Sequence, residues 1–191
     1  MLAIFIKNPI LQRLLMVLAS LALYFISLEL TKLLPQLLIH DNWIYLVFLP
    51  AGSRLLSIML FGIWGAIGDC IALFISAMNF LPEQQMIVWL TFATTSSLTS
   101  LIAIRLTMKQ LKINLDLSNL QYWQIPALSV ISNLAHAFVT QLTLSHFIQK
   151  HYEFYIRDSL AMALGDFLGT MLIIGAVTVG IKLFNARKIP N

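Results

Sequence analysis

Six stretches of this chain are each apolar for about the 20 residues that a helix needs to cross a hydrocarbon layer of about 30 Å. They run from about Leu11 to Leu33, Trp43 to Gly62, Trp64 to Phe80, Met86 to Leu106, Tyr122 to Ile148 and Leu160 to Phe184. The longest polar connection, Thr107 to Gln121, is too short to fold alone. The segments use up most of the 191 residues, so one integral membrane domain over 1–191 is expected. Its fold class is all-α, a polytopic bundle of about six transmembrane helices. Proline removes a backbone donor and glycine permits unusual dihedrals, so the second helix is expected to be broken at Pro50-Ala51-Gly52.

The charged fraction is 10%, whereas a soluble domain carries about 25%. That excludes soluble enzymes and DNA-binding modules. The net charge of +4 comes from Lys and Arg scattered at segment ends, with no basic face for nucleic acid. Membrane lipid is the expected partner. The single Cys70 forms neither an internal disulfide nor a thiolate metal cluster. No metal or cofactor is expected.

Loop charges set the topology, because cytoplasmic loops collect Lys and Arg. An inside amino terminus places Lys7, Arg13, Arg105, Lys109, Lys112, Lys182, Arg187 and Lys188 in the cytoplasm and leaves Lys32, Lys150 and Arg157 outside. Both termini are therefore expected inside, in the plasma membrane (the inner membrane of a bacterium). Trp43, Trp64, Trp89 and Trp123 each fall near the start of a span, where an indole prefers the interface. Lys7, Arg13 and the Ser20-Leu21-Ala22 tripeptide look like a secretory signal, but the apolar run continues to Leu34 and reads as an uncleaved anchor.

Ionisable residues inside spans are expensive and mark function by default. Arg54 lies two residues beyond the Pro-Ala-Gly break, the kind of place where membrane proteins build binding sites. A structural ion pair explains it equally well. Helix rise puts Asp166 about two turns in from the outer surface, and makes it a better partner for Arg54 than Asp69. In the fifth span Ser129, Ser132, Asn133, His136, Thr140 and Thr143 recur at steps of three and four, on one face that must avoid lipid. His136 near its centre fits either a structural hydrogen bond or a proton relay. The Ser and Thr run of the fourth span, the Gly62, Gly65 and Gly68 series and the Gly165–Gly169 pair fit close helix packing. That last pair is compatible with a homo-oligomer.

Ala66-Ile67-Gly68-Asp69-Cys70-Ile71-Ala72 echoes Ala163-Leu164-Gly165-Asp166-Phe167-Leu168-Gly169, three spans apart. Read as a repeat, it makes the two halves inverted, a transporter plan; read as coincidence, it is a match of common membrane residues. Intramembrane aspartyl proteases use two aspartates with one kept protonated, but they carry Gly-x-Gly-Asp where both sites here read Ala-x-Gly-Asp. A serine protease on Ser53 and His136 has less support still. The chain is read as not an enzyme.

The stretch from Phe48 to Asp69, FLPAGSRLLSIMLFGIWGAIGD, and the element Gly165-Asp166-Phe167-Leu168-Gly169 resemble the membrane-associated sensor domains found ahead of diguanylate cyclases and histidine kinases. The matching positions are Pro50, Gly52, Gly62, Asp166 and Gly169. The resemblance implies a free-standing sensor domain whose signalling partner is a separate protein, docked on the cytoplasmic basic loop from Arg105 to Lys112 or on the tail. The chain departs from the family in having fewer spans and no output domain. The glycine-rich turn Leu60-Phe61-Gly62-Ile63-Trp64-Gly65 is also similar to substrate-binding subunits of energy-coupling-factor transporters, which bind a vitamin or small solute and need a separate energising module. In the sensor reading, Arg54, His136 and Asp166 form a polar centre that binds a small ligand or senses protons, with Asn133, Asp69 and Gly52 as its neighbours.

Overall fold

The computed structural model describes residues 8–34, 39–41, 44–147 and 156–186. Trp43 and the basic residues Lys7, Lys150, Arg187 and Lys188 lie outside these. Among the described residues the chain forms six helices and one small antiparallel ribbon: α1 (Pro9–Lys32), β1 (Ile39–Asp41), β2 (Ile44–Tyr45), α2 (Pro50–Phe61), α3 (Ile63–Phe80), α4 (Met86–Gln110), α5 (Gln124–Phe147) and α6 (Ile156–Ala186). All but α2 are long and apolar enough to cross a membrane.

Local chemistry sets the ends. Asn8 caps α1 by accepting from the amides of Ile10 (3.0 Å) and Leu11 (3.5 Å), and Pro9 takes the first turn, where no amide hydrogen is needed. The same rule separates the observed second segment from the expected one. Pro50 opens α2 instead of interrupting a helix that began near Trp43, since a proline inside a helix leaves a carbonyl unsatisfied. With 12 residues, α2 rises about 18 Å and cannot span alone. The chain just before it supplies the rest. Tyr45 to Phe48 runs along α6 ahead of the helix, and the Phe48 amide donates to the Gly165 carbonyl at 3.0 Å. A Cβ on Gly165 would stand 2.0 Å from the Tyr45 carbonyl oxygen, and one on Gly169 would stand 2.1 Å from that of Phe48. These two glycines are the groove in which the chain ahead of α2 lies.

Gly62 turns α2 directly into α3. Its φ of +61° suits glycine, and Arg105 of α4 lies where a side chain would be. The two helices then pack so closely that a Cβ on Gly65 would fall 2.2 Å from the Ser57 carbonyl oxygen. At the same end the Arg13 guanidinium sits 5.2 Å over the Trp64 ring. At the opposite end the Leu49 amide donates to Thr31 Oγ1 (3.2 Å), and the Trp89 indole donates to the Leu81 carbonyl (2.8 Å) across the α3–α4 turn.

Burial is inverted relative to a soluble protein. Ser53, Ser96, Ser129 and Ser132 are inside, while Leu14, Leu98, Leu164 and Leu172 face out. An apolar rim around small polar residues is stable in hydrocarbon, where helices meet through small side chains and hydrogen bonds. The protein is an integral membrane protein. Two apolar clusters brace it, one around Leu55, Ile58, Ile104 and Leu128 and the other around Tyr24, Leu28 and Leu73.

Candidate functional site

Arg54, His136 and Asp166 come from α2, α5 and α6 and meet inside the bundle. The Arg54 side chain donates through Nη1 to His136 Nε2 at 2.6 Å and through Nη2 to Asp166 Oδ2 at 3.2 Å. His136 Nε2 also lies 3.9 Å from that carboxylate oxygen. All three side chains are buried. A guanidinium has no acceptor, so Nε2 of His136 must offer its lone pair and the ring proton resides on Nδ1. The imidazole is therefore neutral while this contact stands. Nδ1 faces the Ser96 carbonyl and Ser100 Oγ of α4, each at 3.4 Å. His136 thus joins α4 to the α2–α6 ion pair.

The remaining expected residues are spread around this centre. Asn133, one turn from His136 on α5, donates to Ser129 Oγ (3.0 Å) and to Thr170 Oγ1 of α6 (3.3 Å), and so ties two helices without touching Arg54. Gly52 serves packing: a Cβ there would stand 2.7 Å from Ile173 Cβ. Asp69 on α3 lies within the electrostatic reach of Arg54 and beside Ser97 of α4. Ser97 Oγ donates instead to the Ala66 carbonyl at 2.7 Å, and neither carboxylate oxygen of Asp69 has a hydrogen-bond partner. The two Gly-Asp elements therefore bring two carboxylates toward one arginine, and only Asp166 engages it. Among the described residues no three His, Cys, Asp or Glu side chains assemble as a metal site.

A cavity of about 690 Å³ reaches from the α3–α4 turn to the polar centre, with His136 and Thr140 among its lining. Its size lies within the roughly 300–1,000 Å³ of small-molecule sites. Tyr45 and Phe48, stacked with ring centroids 6.1 Å apart, wall one side, and Phe80 and Phe92 contribute further aromatic surface. Of the six residues expected at the site, His136 alone lines this cavity. Tyr24 and Ser76 also line it and were not anticipated. A signal for Tyr24 was present in the sequence: Ser20, Tyr24, Ser27 and Thr31 recur at steps of three and four along α1, and all are buried. No protein-family model, curated protein or solved structure matches the chain.

Proposed function

We propose that this protein is a non-enzymatic membrane receptor for a small molecule, a sensor domain of the plasma membrane with both termini in the cytoplasm. The observation that carries this reading is the cavity whose lining includes His136, itself bonded to Arg54. A ligand pressing on the imidazole acts on the Arg54–Asp166 pair and so on the contact between α2 and α6. Those two helices give the protein its coupling element, and a separate signalling protein on the Arg105–Lys112 loop would read the change. Engagement of Asp166 by Arg54 supports the non-enzymatic reading, because a protease dyad needs both aspartates free to share a water.

The cavity mouth at the α3–α4 turn is remote from that basic loop, and this also favours a second reading, the solute-binding subunit of an energy-coupling-factor type transporter. Thermal-shift screening of the purified protein against vitamins, organic acids and neutral aromatics tests both. Saturable stabilisation, lost when the cavity is filled by Leu144→Trp, is the expected result. No stabilisation across the panel removes both readings. A neighbouring gene for a signalling output domain selects the sensor, and one for an energising module selects the transporter subunit.

A further inference from the structure

We infer that the cavity takes an uncharged molecule: a flat aromatic or alicyclic body with a hydroxyl or carbonyl at its inner end. This rests on the cavity being a ligand site, and it departs from the anion that an intramembrane arginine invites. Arg54 does not line the cavity, and both of its terminal nitrogens are engaged by His136 and Asp166. Asp69 and Asp166 do not line it either. Among the described lining residues Glu83 alone carries a formal charge, and it is exposed at the mouth. A carboxylate drawn into this space would lose its water without meeting a cation among the described residues, and an ammonium would leave Glu83 behind at the rim.

The walls match a flat apolar body. Phe48, Leu73, Phe80, Phe92, Leu144 and Met162 line the space, and the Tyr45–Phe48 stack presents a broad aromatic face. The inner end is polar but neutral. Thr140 Oγ1 is already shared with Ser96 Oγ at 3.0 Å, and the lone pair of His136 Nε2 is taken by Arg54. Ser76 remains. Its hydroxyl is buried beside the Tyr24 phenol without reaching hydrogen-bond geometry, and it has no partner among the described residues. A buried hydroxyl left unpaired is unfavourable. A ligand hydroxyl or carbonyl wedged against Tyr24 and Ser76 pairs it, and no charge is needed to do so.

Three probes of one shape separate the alternatives: 2-naphthalenemethanol, 2-naphthoate and 2-naphthylmethylammonium. Each is titrated into the full-length protein in detergent by calorimetry. The cavity-filled variants Leu144→Trp and Met162→Trp, accepted only when they elute as single species, subtract partition into micelles. The expected result is saturable binding of the alcohol, at least tenfold tighter than either ion. Tyr24→Phe and Ser76→Ala should each weaken it about threefold to tenfold, as loss of one neutral hydrogen bond does. Naphthoate or the ammonium binding as well as the alcohol overturns the uncharged class and leaves the receptor reading standing. If none of the three exceeds the filled variants, the receptor reading itself falls.

Discussion

At the residue scale the polar centre is an ion pair with a neutral witness. Arg54 and Asp166 are bonded and fully desolvated, so removal of either partner leaves an uncompensated buried charge. Arg54→Met or Asp166→Asn is expected to lower stability by about 3–5 kcal/mol in thermal unfolding of the purified protein. The double variant Arg54→Met with Asp166→Leu should recover most of that loss; equal loss in single and double variants would show that the pair is not the stabilising unit. Asp69 predicts the opposite sign. Its carboxylate has no hydrogen-bond partner, so Asp69→Asn should leave the melting temperature unchanged or raise it, and a fall as large as that of Asp166→Asn would contradict the contrast. These residues were legible in the sequence because an ionisable group inside a span has to find a partner. What the sequence did not distinguish is which carboxylate Arg54 takes, beyond the depth argument for Asp166. The aromatic walls of the cavity were not legible, since Phe80 or Phe92 reads the same whether it borders a void or fills one.

At the scale of elements, α6 is the surface against which the chain before α2 is laid. Gly165→Ala and Gly169→Ala each push a methyl into backbone carbonyls at about 2 Å, and backbone cannot swing aside as a side chain can. Each is expected to destabilise by about 1–3 kcal/mol, the range of an overpacked core. Gly175 and Gly180 on the same helix have no described atom within 4 Å of where a Cβ would stand, so Ala there should be neutral or stabilising by up to about 1 kcal/mol through helix propensity. Equal effects at all four positions in denaturant titrations would sink the groove assignment. The sequence offered Gly165 and Gly169 as a helix-packing pair, and the structure gives them the non-helical chain ahead of α2 to pack against. Hydropathy misses this because Ile44 to Leu49 is as apolar outside a helix as within one. The proline was the better guide, and it marked a helix start.

At the scale of the whole molecule, the helices alternate so that the α3–α4 turn and the Arg105–Lys112 region lie at opposite ends. With Cys70 replaced by Ser, a cysteine at Glu83 should react with a membrane-impermeant maleimide on intact cells. One at Asp116 should react only after permeabilisation, and the reverse pattern would invert the proposed topology. The length and number of the apolar segments made the six-helix bundle legible at this scale. The half-length of α2 was not, because it depends on a groove in a helix more than a hundred residues away. That separation bears on how the protein is made. A 12-residue segment carrying an arginine, worth about 2.5–3.5 kcal/mol against insertion at a helix centre, is a poor candidate for release into lipid by itself. Its carboxylate partner is 112 residues downstream, and the glycine groove for the chain ahead of it is on the same late helix. On the ribosome α2 must therefore wait, sheltered against α1 and α3 or within the insertion machinery, until α6 emerges. Assembly of the bundle closes around its sixth helix, and truncation before Asp166 should leave its second segment without a place in the membrane.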